Sequence, residues 1–411
     1  MFIHPFKSIH FKNYWIALCL FFVVLAIFIY KNRDISSDYY VIEPIAVHEN
    51  GKAFIGSNSC VPCHTDIYDV HVKTALFRTS AVADSSNIKG SFELGRNTHI
   101  LNDRVQFTMV ATDSGFYQRA NFIHNQLELF NLRMDIVIGS GTKGQSYLSW
   151  ENNELFQLQT SYFTPNKNWT SSPGLKGIAS PRPVVARCFE CHSTFAKSTT
   201  SDKKGNGYDK SQIIYGIDCE RCHGPSAKHV GYHQKNPDAK VSKYMIKHSA
   251  LSQQQRLDAC ALCHSGGRKS IKPPFSFLVG DDLDQFSTSK PKQDNVPLDV
   301  HGNQYELLTN SMCFKKSQIM NCTTCHNPHK NERGKGNVFN LKCISCHTQP
   351  KTTCTEREIT KTMESNNCIS CHMPLVSSKS MRIQLDTIET AVKVRTHLIA
   401  VYPKEETKKS L

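Results

Sequence analysis

The 411-residue chain has no apolar run longer than 17 residues and no long run of basic residues. The first absence excludes a multi-span membrane protein, and the second removes the footing for a nucleic-acid patch despite a net charge of +14. A phosphate cradle is missing too. Gly139, Gly141 and Gly144 are followed by no Gly-Lys-Ser/Thr and are flanked by strand-like sequence, so they read as turn glycines. With 39% apolar and 20% charged residues the chain is not a disordered tail either, and its length allows two or three domains.

The one apolar run, YWIALCLFFVVLAIFIY at residues 14–30, is at the short end of what crosses a bilayer as a helix. No Ala-x-Ala-like site follows it, which favours an uncleaved N-terminal transmembrane anchor over a signal peptide. Lys7 and Lys12 are matched by Lys31 and Arg33, so flanking charge alone does not orient it. Cys19 lies inside the run and reads as a buried apolar residue. Residues 34–59 are a polar stem broken by Pro44 and Gly51. From about 92 to 163 the pattern changes. Val105, Phe107 and Met109 alternate with Arg104, Gln106 and Thr108, the period of a half-buried strand, and FYQRANF, QLELFNL, RMDIVIG, SYLSW and ELFQLQT look similar. Asn152 and Asn153 suit a turn between two of them. Residues 198–210 and 265–300 read as polar loops, and between them Ser252 and Gln255 form a capping box that starts a helix through LDACALCH.

What is abundant is cysteine and histidine, 17 and 19 residues. Fourteen of the cysteines fall in seven Cys-x-x-Cys-His motifs: Cys60/Cys63/His64, Cys188/Cys191/His192, Cys219/Cys222/His223, Cys260/Cys263/His264, Cys322/Cys325/His326, Cys343/Cys346/His347 and Cys368/Cys371/His372. The spacing has a chemical reason. Two thiols so placed reach the two vinyl groups of one haem as thioethers, and the adjoining His ligates its iron. Zinc centres do not require a His after every second Cys, a thioredoxin-like pair would be single, and a disulfide scaffold leaves the histidines unexplained. The expected cofactor is therefore covalently attached haem c, seven per chain. The propionates of seven haems bring about −14 and seven ferric cores about +7, so the basic residues read as their counter-charge.

Motif start-to-start spacings are 128, 31, 41, 62, 21 and 25 residues. Six motifs thus crowd into 188–372, and the first stands apart beside the anchor, where it would serve as one end of an electron path. The expected organisation is an anchor at 1–33, a stem and first haem segment at 34–91, a β-rich insert at 92–187 and a hexahaem domain at 188–411. The expected fold is mainly α and irregular, with little regular secondary structure beyond a small antiparallel β unit, because such a chain buries macrocycle surface in place of a side-chain core.

Ten histidines outside the motifs are candidates for the second axial position. The best placed are His71, His99, His229, His301, His329 and His397, with His233, His248 and His124 competing; Met373 is a further candidate that would raise a potential. Cys313 and Cys354 flank the fifth and sixth motifs and are either a disulfide or a pair of buried thiols.

The chain resembles the multihaem cytochrome c proteins related to the tetrahaem cytochrome c-554 of ammonia oxidisers and, more distantly, hydroxylamine oxidoreductase. The resemblance rests on SNSCVPCHTDIYDVHVKTALFRTS, on KGQSYLSWENNELFQLQTSYFTPNKNW with RCFECHSTF, on YGIDCERCHGPSAKHV and on MNCTTCHNPH, and covers most of 57–402. It implies distal ligands at His229, in CHGP-x-x-x-H, and at His329, in CHNPH. Related sequences tend to carry a His where this chain has Leu76, so His71 is the substitute; failing that, one iron is five-coordinate. The resulting expectation is a periplasm-facing, inner-membrane-anchored heptahaem cytochrome relaying electrons between redox proteins. The alternatives are a multihaem oxidoreductase acting on a small nitrogen or sulfur compound at a five-coordinate haem, and a protein binding nitric oxide or another gas. No motif carries Lys in place of the proximal His, the mark of pentahaem nitrite reductases.

Overall fold

The computed structural model describes residues 10–31, 42–175, 177, 181–200, 205–289, 297–347, 367–385 and 388–403. Lys7, Arg33 and Cys354 lie outside them. The chain divides into two units, Met1–Glu43 and Pro44–Leu411.

The first unit holds one helix, His10–Lys31. Among the described residues no helix is long and apolar enough to cross a membrane, so the expected anchor is overturned. The physical reason is length. Seventeen residues rise about 25 Å, short of a hydrocarbon core of roughly 30 Å, and the helix is bounded by His10, Lys12 and Lys31.

In the second unit the strands form where the alternation places them. Thr98–Ile100, Val105–Thr112, Gly115–Phe122 and Glu128–Met134 make a four-stranded antiparallel sheet in chain order. Val105, Phe107 and Met109 all point inward and are buried, joined by Ala120 from the paired strand and by Met134, Val137, Tyr147 and Trp169. A second sheet centres on Gly144–Glu151, which pairs with Ile136–Ile138, Glu154–Gln157 and Thr160–Phe163. Asn152, at φ 56°, turns the chain between two of these strands as expected, and Gly139 and Gly141, at φ 101° and 77°, turn it between Ile136–Ile138 and Gly144–Glu151. This sheet also takes in Ser80–Val82, from just after the first motif, and Arg182–Pro183, from just before the second.

The expectation of little regular structure fails: the chain is 29% helix and 29% strand. Three hairpins were not legible as such: Ser193–Ser198 with Tyr208–Tyr215, Arg268–Ser270 with Ser287–Ser289, and Leu375–Leu385 with Ile388–Arg395. Their strands carry Ser, Lys and Thr at many positions, so backbone pairing supplies what the side-chain pattern does not show. Nor is the side-chain core absent. Phe54, Ile136, Leu148, Leu155, Phe189, Phe195, Tyr208 and Phe275 form one cluster that runs from the second sheet into the haem-motif region.

Candidate haem sites

Each motif sits on or beside a short helical turn. In such a turn residues i and i+3 share a face, so both thiols of a pair front the same side. The turns are held by local caps. Asp218 accepts from the Cys219 amide at the start of Cys219–His223, and Gly224, at φ 77°, ends that helix. Asn321 and Thr324 form a capping box on Cys322–Cys325, and Asn367 accepts from the Ser370 amide at Cys368–His372. Ser252 and Gln255 form the expected box at the head of Gln253–His264, whose last turn is the fourth motif.

The two thiols of a pair are not equally sheltered. Cys60 and Cys368 are half-buried, whereas their partners Cys63 and Cys371 are exposed free thiols, and in the second and sixth motifs Cys188 and Cys346 are the exposed members. The reading of Cys63 and Cys371 as attachment groups enclosed by the haem region is corrected to one in which the protein covers only the first thiol of each pair. The cause is local. Cys63 stands one residue before His64, where the backbone of the helix Val61–His71 departs from helical angles (φ −129°, ψ 34°), and Cys371 lies in the last turn of the five-residue helix Cys368–His372. A thiol at such an interruption or end has fewer helical neighbours to cover it, while its sequence spacing from the first cysteine is unchanged.

Several motif histidines have Nδ1 engaged, which leaves Nε2 as the metal-binding nitrogen. His223 Nδ1 lies 3.0 Å from the Ile246 carbonyl and His372 Nδ1 2.8 Å from that of Ala400. His264 Nδ1 is 3.2 Å from Gln304 Oε1.

Two motif histidines face a second imidazole. The rings of His223 and His329 are 6.1 Å apart with planes at 6°, and those of His326 and His397 are 6.2 Å apart at 29°. Two imidazoles sharing one iron through bonds of about 2.0–2.1 Å would have centroids roughly 6 Å apart. Both separations fit a single iron. Burial and the neighbouring His326 push His397 down to about 4, which keeps it in the neutral form that ligates.

The other candidates distribute unevenly. His229 and His233 lie on one helix, Ala227–Lys235, with rings 4.7 Å apart. His229 Nδ1 meets the Lys243 carbonyl at 2.8 Å, and His233 Nε2 is buried without a hydrogen-bond partner. Burial, His229 and then His64 depress the pKa of His233, which puts this pair next to the first motif. His301 lies within electrostatic range of His192 and His264. His71 is buried with its nitrogens 3.1 Å from the Ile217 carbonyl and 3.3 Å from that of Pro328, its ring 6.0 Å from His329. His248 Nε2 faces the Cys222 carbonyl at 3.1 Å. His99 sits in the β unit, 3.0 Å from Ser171 Oγ and against Phe107, and His124 is exposed beside Phe122. Cys313 is a free thiol, and its suggested partner Cys354 is outside the described residues.

Sequence reasoning missed a buried charged frame around the second and third motifs. Glu220, fully buried, accepts from the amides of Ile55 (3.2 Å), Gly56 (2.7 Å) and Ser226 (2.8 Å) and from Ser226 Oγ (2.7 Å). Glu190 pairs with Arg187 at 2.6 Å and Arg221 at 3.8 Å, and accepts from the Phe275 amide at 2.7 Å. The available signal was the charged interior of Cys-Glu-Arg-Cys-His, since charge next to an apolar macrocycle needs a partner.

Comparison with known proteins agrees with this chemistry. Residues 145–224 match the family described as cytochrome c554 and c-prime. The multiheme cytochrome MtrA of Shewanella baltica is 25% identical over 258 residues, 60% of this chain and 71% of that protein. The C-type polyheme cytochrome OmcC of Geobacter sulfurreducens is 26% identical over 182 residues, 39% of this chain and 22% of that one. The crystal structure of the outer cell wall cytochrome OcwA superposes with a TM-score of 0.54 at 16% identity, covering 87% of this chain and 81% of that one. The expected inner-membrane location falls with the anchor: no described helix spans a membrane, and the solved neighbour is a cell-wall protein. Seven-fold repetition of the haem-attachment spacing, its helical-turn geometry and these likenesses lead to one family: the chain belongs to the multihaem cytochromes of the c type.

Proposed function

We propose that the chain is a heptahaem electron relay between redox proteins. The observation that carries this is the gathering of all seven Cys-x-x-Cys-His motifs in one folded unit, with a second imidazole at one-iron separation from His223 and from His326. Relatives named as multihaem and polyhaem cytochromes support it.

Bound haem iron supplies a one-electron couple, and the chain's own residues do the rest. Each cysteine pair fixes the orientation of a macrocycle. His64, His192, His223, His264, His326, His347 and His372 supply the proximal nitrogen, and the carbonyls of Ile246 and Ala400 hold two of those rings in the required tautomer. His329 is assigned opposite His223 and His397 opposite His326. The His229 and His233 pair serves His64, and His301 serves the second or fourth motif. Arg256, whose Nε is buried with no partner, fits a propionate carboxylate, consistent with the basic excess of the sequence.

The test is the iron content of the holoprotein together with its absorption and electron paramagnetic resonance spectra, ferric and ferrous, with nitrite, hydroxylamine and carbon monoxide added. Seven irons, all low-spin and indifferent to the three ligands, are expected. A high-spin fraction that binds them would replace the relay with the oxidoreductase reading.

A further inference from the structure

Motif spacing along the chain sets the first haem apart and suggests that the others follow in sequence order. Contacts between motifs give another order. The Cys60 thiol is hydrogen-bonded to that of Cys219, so the first motif lies against the third. The Ser57 amide reinforces this by donating to Asp218 Oδ2 at 3.0 Å. The second motif bypasses the third to meet the fourth: the Cys191 thiol is hydrogen-bonded to that of Cys263 and lies 3.9 Å from the Leu262 carbonyl, to which Arg187 also donates at 2.8 Å.

The remaining cysteine of the fourth motif points elsewhere. The Cys260 thiol is hydrogen-bonded to that of Cys322 in the fifth motif, and Gln253, at the head of the same helix, donates to the Met320 carbonyl at 2.7 Å. Cys260 also feels Cys222 of the third motif electrostatically. Beyond the fifth motif, Cys325 lies within range of Cys346, and Cys343 within range of Cys368.

We propose that the fourth motif is the junction of the relay, whose spatial order is first, third, fourth, fifth, sixth, seventh, with the second as a branch on the fourth. This rests on the relay reading. Each motif sulfur becomes a thioether on the rim of its macrocycle, so sulfurs of two motifs in contact bring two rims together. Cys260 and Cys263 are one turn apart on a single helix and belong to one haem, yet they touch different motifs. The helix Gln253–His264 thus fixes three neighbours around one site. Transfer across each contact moves one electron, with no bond broken and no proton carried. A branch gives the relay a third terminus, which fits a second class of redox-protein donor or acceptor docking at the second motif.

Anomalous diffraction at the iron edge from crystals of the holoprotein tests the order directly. The expected map has seven irons, with the second motif's iron nearest that of the fourth, the first nearest that of the third, and the fourth's iron having three near neighbours. Seven irons with the second motif's iron nearest that of the third, or with the first isolated from all others, would overturn the junction and leave the relay standing. Fewer than seven irons would instead refute the heptahaem count.

Discussion

Replacing His397 with Ala is the sharpest probe of the axial pairs. The His326 and His397 rings are 6.2 Å apart, and two metal–nitrogen bonds of about 2.0–2.1 Å plus half a ring at each end sum to about 6.4 Å. One iron therefore spans the gap with little movement of either ring. Alanine removes one of its two nitrogens and opens an imidazole-sized space beside it. If the pair shares an iron, one haem in seven, about 14% of the total, turns high-spin in the ferric state, and the reduced protein binds about one carbon monoxide per chain. His397→Met restores six-coordination and raises that haem's potential. Electron paramagnetic resonance with spin quantitation and a carbon monoxide titration of the reduced protein read both effects. His124→Ala, which removes an exposed ring beside Phe122, is the control. A His397→Ala protein that stays wholly low-spin and takes up no carbon monoxide would refute the one-iron reading of the separation, and with it the matching assignment of His329 to His223.

Four further outcomes follow from particular contacts. Glu220→Ala strips the Ile55, Gly56 and Ser226 groups of their shared acceptor; at about 1–3 kcal/mol per orphaned donor, partly offset because burial already pushes Glu220 up, a net loss of about 3 kcal/mol is expected in thermal melts. Burial would raise Asp84, but hydrogen bonds from Ser86 and Asn87 outweigh it and hold the carboxyl below its usual range; its stabilisation is therefore present above pH 3.8 and lost as pH falls through the depressed value. At this largely solvated site Asp84→Asn costs under about 1 kcal/mol at neutral pH, and melts at a series of pH values should show the difference from wild type vanish in acid. Gly90→Ala places a Cβ inside the ring of Trp169, which is buried and donates to the Ser91 carbonyl at 2.9 Å; overpacking lowers stability by about 1–3 kcal/mol, and an unchanged melt would show that the Trp169 ring relocates freely. Arg256→Gln removes a positive charge from a buried site and should lower the midpoint potential of one haem in a spectroelectrochemical titration; an identical titration would remove Arg256 as a propionate partner.

The parts of this molecule legible in its sequence are those set by neighbours a few residues apart. The seven attachment motifs, the Ser252–Gln255 capping box and the alternation of Val105, Phe107 and Met109 are of this kind. The strands Leu375–Leu385 and Ile388–Arg395 escaped because stretches such as Ser377-Ser378-Lys379-Ser380 show no apolar alternation; that strand is fixed from outside, by Asp299 accepting from the Lys379 amide at 3.0 Å and the Ser380 amide at 2.7 Å. Pairing of histidines is a tertiary property. His397 reaches His326 across 71 residues and His329 reaches His223 across 106, and no local pattern encodes either. Exposure of one thiol in a pair is tertiary in the same sense: the spacing of Cys60 and Cys63 is that of Cys219 and Cys222, yet only Cys63 of these four is exposed. The apolar run misled for a different reason: composition indicated a membrane span, whereas its length fell short of one.

The largest misreading, the isolation of the first motif, has a mechanical explanation. The 128 residues between the first and second motifs are mostly the two β-sheets, and the chain leaves and re-enters the haem region at one place. Thr79 Oγ1 and Ser80 Oγ both donate to the carbonyl of His192 at 2.7 Å, and Ser80 Oγ accepts from the Gly216 amide at 2.9 Å. The departing strand Ser80–Val82 and the returning Arg182–Pro183 are built into the same sheet. Closing so long an excursion costs little more than closing a short one, because loop entropy rises only with the logarithm of length, about 0.6 kcal/mol per doubling. Burial of Phe107, Met109, Tyr147 and Trp169 within the excursion offsets that cost many times over, at about 1.5–3 kcal/mol for each large side chain. Distance along the sequence therefore says nothing here about distance between haems. The 128-residue interval contains a self-supporting β unit, and the residues on either side of it meet at His192, beside the motif whose thiol contacts the fourth.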